Sequence, residues 1–426
     1  MTRYDLLYAA ALPALAPYLA WRRISRGKYT ESAAGMLGRN LPDTGAQETF
    51  ARGSLWLHAV SYGEVNAARA VAPQLHALEC LRTLPLVVST VTETGQAHAR
   101  KSFPQATVTY FPADFSRNVR RFQAAFNPRV FVLLETELWP NFLMLAHRRG
   151  TRCFMLNAKL SDRSFPRYRR FRGMLAPALA ALDGLCTQTE LDAERFAALG
   201  IPAERIRVTG NCKFDLTPQP LTEAERLEWL LKLGLNPQRR WIVAGSTHPG
   251  EEEAILAAFR GVLATHPTAG LILCPRHPER FEEVARLAAQ TGLTTARASA
   301  PQAGDDPAIL VLDQMGVLAR AYGLGEVAIV AGSFCPVGGH NLLEAAAHNI
   351  PVLFGPDMHS QREIDRLFKQ VQAGIQLAAG ELPAMLGRLL DDGEFAQMQA
   401  QGAYEVVRRN GGSAGRAVAH MAQWLK

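Results

Sequence analysis

Paired cysteines, long apolar runs and several common catalytic signatures are missing from this chain of 426 residues. Its six cysteines (Cys80, Cys153, Cys186, Cys212, Cys274 and Cys335) are scattered, with no C-x-x-C and no paired spacing with histidine. That argues against a disulfide scaffold or structural zinc site and for a reducing compartment. There is no G-x-x-x-x-G-K-[ST] phosphate loop, which excludes a P-loop ATPase. D-x-D and H-E-x-x-H are also absent, so a metal-carried mechanism gains no support. Charge of one sign is not abundant either. The net charge of +7 suits nucleic acid, an anionic membrane surface or a phosphorylated substrate equally. With 48% hydrophobic and 20% charged residues the composition is globular, and the length predicts two or three domains.

The uncharged, apolar stretch from Leu6 to Trp21 is shorter than the roughly 20 residues of a spanning helix, and Pro13 and Pro17 interrupt it. Arg22, Arg23, Arg26 and Lys28 follow directly. A cleaved signal peptide carries its basic residues before the apolar stretch, so that reading is disfavoured. A buried core helix and a membrane anchor with a flanking basic cluster remain. The expectation is an N-terminal membrane-associated segment over residues 1–28, with the following chain kept on the cytoplasmic side.

Beyond it, short apolar, β-branched runs alternate with helix-length segments. Strands are predicted at Leu55–Ala59, Leu86–Ser89, Val108–Phe111, Val130–Leu134, Cys153–Leu156, Gly184–Thr187 and Ile206–Thr209. A second series comprises Trp241–Ala244, Leu271–Cys274, Ile309–Leu312, Val327–Ala331 and Pro351–Phe354. Continuous apolar strands separated by helices imply parallel sheets buried on both faces, hence an α/β fold of two doubly wound, Rossmann-like domains. The Pro-, Thr- and acid-rich stretch 215–223 separates domains over 29–215 and 216–426, and the last helix has the option of returning to the first domain. The alanine-rich stretch 296–308 reads as a surface loop.

Ligands in such sheets bind past the carboxyl ends of strands. Glu64, behind Gly63, stands there at a strand-to-helix turn. It is either a reactive carboxylate or an acid favoured by the helix dipole. Glu135 and Glu137 end another strand. On an extended chain, positions i and i+2 share a side, which would raise one of the two pKa values; the alternative is a simple helix start before Pro140. Lys213 is either a cation that stabilises a leaving phosphate or a surface lysine. In the second half, Arg276-His277 follow a strand. Gly338-Gly339-His340-Asn341-Leu342-Leu343-Glu344 reads as an anion site at a helix N-terminus with a carboxylate for vicinal hydroxyls, or as a local capping box. Lys159, Arg163, Arg167, Arg169, Arg170 and Arg172 interleave with Phe165, Tyr168 and Phe171, which suits nucleic acid, a phosphorylated headgroup or a solvated helix face.

Taken in order, HAVSYGEVNAA, TVTETGQAHA, ETELWPN, NAKLSDRSFPRY, GNCKFD, AGSTHPGEEE, PRHPERF and GGHNLLEAAAHNIPVLFGP closely resemble the Kdo transferases of lipopolysaccharide biosynthesis. The resemblance implies a GT-B fold, two Rossmann-like domains facing a cleft. It implies metal-independent, cofactor-free transfer of 3-deoxy-D-manno-oct-2-ulosonic acid (Kdo), with inversion, from CMP-Kdo to a tetraacylated lipid A precursor at the cytoplasmic face of the inner membrane. Glu64 matches the general base, and Glu135 and Lys213 match transition-state stabilisers. Arg276, His277, Met315, Gly316, Val317, Asn341, Leu342, Leu343 and Glu344 match CMP contacts. Arg22, Arg23, Lys159 and Arg163 are candidate acceptor contacts. Nucleic acid is not an expected partner, because acids at strand ends repel phosphate backbones. A different GT-B enzyme using a UDP-sugar is the alternative. Val317 stands where many members carry Glu, and Ser333-Phe-Cys-Pro-Val where many carry SLVER.

Overall fold

The computed structural model describes residues 1–10, 13, 31–39, 41, 48–300 and 306–425. Two units result: Met1–Leu216 with Gly411–Lys426, and Thr217–Asn410.

The first unit holds a seven-stranded, all-parallel sheet of order β3-β2-β1-β4-β5-β6-β7. Its strands are β1 (Ser54–His58), β2 (Leu86–Thr90), β3 (Thr107–Tyr110), β4 (Pro128–Leu134), β5 (Arg152–Ala158), β6 (Gly184–Thr187) and β7 (Ile206–Val208). The central strands are buried on both faces, as uninterrupted apolar runs require. Alternation along β1 sends Trp56 into one core layer and Leu55 and Leu57 into the other. Trp56 meets the edges of Phe126 and Phe142, each at 5.1 Å between ring centroids, and its indole N–H donates to the Ser89 hydroxyl at 2.7 Å.

The second unit holds a parallel sheet of order β10-β11-β9-β8-β12-β13-β14. These are β8 (Arg240–Thr247), β9 (Ala269–Pro275), β10 (Thr295–Arg297), β11 (Ile309–Val311), β12 (Val327–Val330), β13 (Val352–Phe354) and β14 (Ile375–Gln376). The edge strands β10 and β14 have no counterpart in the sequence reading. The alanine-rich stretch is therefore not all loop: its start is β10, paired with β11 through Ala296 and Leu310.

The terminal helix Ser413–Ala422 buries Ala414, Ala417, Val418 and Met421 in the first unit's core. Asp215 ties it down by accepting from the Ser413 and Ala414 amides, at 3.1 and 2.5 Å. The first unit thus includes residues 411–426, which the sequence reading had grouped with the second domain apart from the option of a returning last helix. Gly411 to Gly415 has the G-x-S-x-G spacing of a hydrolase elbow, but it opens this helix after another helix, not after a strand.

At the other terminus, Asp5 is buried and accepts from the Ser116 amide, the Ser116 hydroxyl and the Asn141 side chain at 2.8, 2.6 and 3.1 Å. Leu6 and Leu7 are exposed. Among the described residues no helix is long and apolar enough to cross a membrane. Most of the Leu6–Trp21 run, with Arg22, Arg23, Arg26 and Lys28, lies outside the described residues, so the expected N-terminal helix is not established.

Candidate active site

Strand order reverses between β1 and β4 in the first unit, and sheets of this kind take their ligands at such a reversal, beyond the carboxyl ends of the strands. Glu64 and Glu135 sit one on each side. Glu64 lies in the first turn of helix Tyr62–Ala77 and is 7% exposed. Its Oε2 accepts from the Val60 amide at 2.7 Å and its Oε1 from the Ser61 hydroxyl at 3.0 Å. Burial raises its pKa to about 7. Those two hydrogen bonds oppose the rise, and the charges of Glu135 and Glu137 add to it.

Glu135 has φ +55°, left-handed and not extended. The expected same-side i, i+2 pairing of Glu135 and Glu137 therefore does not apply. Instead the Glu135 carboxylate sits between Lys213 Nζ at 2.6 Å and Lys159 Nζ at 2.9 Å. Burial alone would push its pKa up; Lys213, and then Lys159, outweigh burial and hold it below the usual value. Glu137 is raised, by burial and by Glu135. Lys213 belongs to a short 3-10 turn, Cys212–Leu216, held by the Asn157 side-chain oxygen, which accepts from the Cys212 amide at 2.9 Å. Asn157 is itself left-handed, φ +58°. A Cβ on Gly63 would stand 3.7 Å from Lys213 Nζ, an ordinary contact, which places the ammonium beside the turn that carries Glu64. Glu64, Glu135, Lys159 and Lys213 are thus brought together. Arg163 is exposed in the loop before helix Phe165–Arg170. The sequence reading missed Ser61 and Asn157; the only signal was their place within the motifs.

In the second unit the order reverses between β8 and β12. Glu251, buried in the first turn of helix Glu251–Leu263, joins the loops after both strands. Its carboxylate accepts from the amides of His248 (3.0 Å), Gly332 (2.8 Å) and Phe334 (2.9 Å). The sequence reading assigned it no role. His248 Nε2 lies 2.9 Å from His340 Nε2. Arg276 and His277 are exposed just past β9. Glu344 has its pKa raised by burial, with the Asn341 hydrogen bond and Arg276 opposing.

Asn341 caps helix Leu342–Ala346 by accepting from the Leu343 amide at 3.1 Å, and its amide donates to Glu344 at 3.4 Å. That helix has only five residues, and the Gly339 N–H is already bonded to the Gly332 carbonyl at 2.7 Å. The expected glycine-freed anion site is therefore weaker than the sequence suggests. Leu342 and Leu343 are buried, leaving only their backbone for a ligand. Met315 is exposed, Gly316 is left-handed at φ +82°, and Val317 precedes helix Leu318–Ala321. Among the described residues no cluster of three His, Cys, Asp or Glu side chains could hold a metal ion.

Two parallel-sheet α/β units, each with acids and bases gathered where its strand order reverses, are the frame of an enzyme that binds its ligands at the strand ends. Comparison with known proteins makes this specific. The family profile of 3-deoxy-D-manno-octulosonic-acid transferase (kdotransferase) matches residues 29–216. The 3-deoxy-D-manno-octulosonic acid transferase of Haemophilus influenzae is 33% identical over 84% of this chain and 84% of its own. That of Bordetella pertussis is 33% identical over 98% of this chain and 99% of its own. Among solved structures, UDP-GlcNAc 2-epimerase from Neisseria meningitidis shares the fold, with TM-score 0.55 over 87% of this chain and 100% of that one at 12% identity. The chain belongs to the Kdo transferase family and is a glycosyltransferase.

Proposed function

We propose that this enzyme moves Kdo from CMP-Kdo to a hydroxyl of a tetraacylated lipid A precursor, with inversion and without a metal, at the cytoplasmic face of the bacterial inner membrane. In this reading its two units form a GT-B enzyme, with the acceptor on the first and the donor on the second. The observation that carries it is the contrast between two buried glutamates at one crevice: Glu64 poised to exchange a proton near pH 7, Glu135 locked in its charged form by two lysines.

Glu64 takes the proton of the acceptor hydroxyl as that oxygen attacks the anomeric carbon. The bond from that carbon to the phosphate oxygen breaks, and CMP leaves with the electron pair. Lys213, held by Glu135, faces the developing negative charge. Lys159 is bound to the same carboxylate, so we group it with this pair; Arg163, with Arg22 and Arg23, is left for the acceptor phosphates. On the donor unit, Arg276, His277, the Met315-Gly316-Val317 turn, Asn341 and Glu344 receive CMP, with Leu342 and Leu343 through their backbone.

The test is Glu64→Gln in a transfer assay with CMP-Kdo and a lipid A precursor. Turnover should fall by about 10²- to 10⁴-fold, the usual worth of a general base. Near wild-type turnover in a folded variant would reject Glu64 as the base. Calorimetric preference for UDP over CMP would replace the donor assignment.

A further inference from the structure

We infer that His248 and His340 form a proton-sharing imidazole pair that binds the phosphate of the donor nucleotide and takes up one proton as it does so. This rests on the reading that the second unit holds CMP-Kdo.

His248 lies just past β8 and His340 in the loop after β12, so the two rings meet at the reversal of strand order where a ligand crevice is expected. Their Nε2 atoms are 2.9 Å apart, with ring centroids 5.2 Å apart and planes within 7°. Those values describe rings joined end to end by one hydrogen bond, not stacked face to face. Gly332 makes the arrangement sterically possible: at φ +70° a Cβ there would stand 2.6 Å from the His340 ring. Glu251 bonds both the Gly332 and the His248 amides, fixing the floor and one wall of the pair with a single carboxylate.

The proton count follows from the geometry. One ring must carry its proton on Nε2 and donate; the other accepts there and carries its proton on Nδ1. The neutral pair therefore has a single bare nitrogen, Nδ1 of the donor ring. A third proton there makes the pair a cation. The charges around it favour an incoming anion. His277 stands with its ring centroid 5.4 Å from that of His248, and Arg276 adds positive charge; Arg280 is already bound to Glu252 and Glu283, His277 lies 3.9 Å from Glu279, and Glu251 is the carboxylate nearest His248. Burial holds both histidines below their usual value; for His340, at about 4, the neighbouring His248 ring adds most to that and Arg276 less, while for His248 Glu251 opposes it, so the free pair is neutral at pH 7. A phosphate supplies the countercharge that the pair lacks. The fit improves in the product direction: once the bond to the sugar breaks, the phosphate monoester carries more negative charge than the diester it came from.

The experiment is calorimetry of CMP binding to the full chain at pH 7 in two buffers of different ionisation enthalpy, repeated for His340→Gln. Wild type should take up a measurable fraction of one proton per CMP, and its dissociation constant should rise, by up to about tenfold per pH unit, on going from pH 7 to pH 8. His340→Gln should lose the uptake and bind CMP about tenfold more weakly or worse. Uptake that persists in the variant would place the proton on the phosphate itself and overturn the inference. CMP binding by wild type without uptake would also overturn it, and leaves the donor assignment standing. Failure of wild type to bind CMP at all would instead sink the donor assignment, and this inference with it.

Discussion

Removing the Ser61 hydroxyl should move the pH dependence of the reaction without changing its maximum rate. Ser61 precedes helix Tyr62–Ala77 in the N-cap position, yet its side chain makes no capping bond. It donates instead to Glu64 Oε1 at 3.0 Å. Ser61→Ala therefore costs no cap and takes from the carboxylate one of two donors that favour its charged form. A hydrogen bond to a charged group is worth about 1.5–3 kcal/mol, but Ser61 is only half-buried and water replaces part of the loss, so about 1 kcal/mol is reasonable. That equals a rise of about 0.7 pK unit. Starting from a pKa of about 7, the ionised fraction at pH 7 falls from about one half to about one sixth, whereas at pH 9 it stays near complete. The assay is kcat/KM for Kdo transfer from pH 5.5 to 9.5: about a threefold deficit at pH 7, none at pH 9, and an acid limb displaced upward. An acid limb that stays in place, or a deficit of equal size at every pH, would refute the link between this hydrogen bond and the reactive carboxylate.

Further outcomes follow from the same site. Glu64→Gln should stabilise the folded protein at pH 8 by up to about 3 kcal/mol, read as a rise in Tm, because a carboxyl with a raised folded pKa is penalised once it must ionise. The penalty is absent below about pH 4.5, grows through the window up to about pH 7 and is full above it, so a Tm gain at pH 4 equal to that at pH 8 would contradict the assignment. Glu135→Gln leaves Lys159 and Lys213 without their shared carboxylate and removes a negative neighbour of Glu64; kcat should drop about a hundredfold or more while the acid limb moves to lower pH, and an upward move would refute the electrostatic account. Asp215→Ala frees the first turn of the terminal helix and should cost about 1–2 kcal/mol, with hydrogen exchange accelerating in Ser413–Ala422 ahead of the rest of the first unit; unchanged exchange there would show that packing alone holds the helix.

The central strands were legible because burial on both faces demands unbroken apolar runs, and β1, β4, β8 and β9 are such runs. β10 and β14 were not, because three residues of Thr-Ala-Arg and two of Ile-Gln at sheet edges carry no such pattern. The terminal helix was readable as a helix. Its place in the first unit depends on Asp215, about 200 residues earlier in the chain, and on an apolar face that would suit either unit.

The site divides in the same way. The motifs supplied Glu64, Glu135 and Lys213 as types of residue, and strand ends supplied their location. Their chemical states came from elsewhere. Glu64 and Glu135 are the same residue, each just past a central strand and each buried, so desolvation pushes both upward. The difference is two ammonium groups, from positions 159 and 213, brought to Glu135 by its left-handed turn and by the Asn157 bond that holds the Cys212–Leu216 turn. Lys213 is 78 residues from its carboxylate, so no local pattern announces the pair. A carboxylate already paid in positive charge cannot serve as a base near neutral pH, and one left with two neutral donors can. The division of labour between the two glutamates is therefore a property of the folded crevice, which is why the pH profile of Ser61→Ala and that of Glu135→Gln must move in opposite directions.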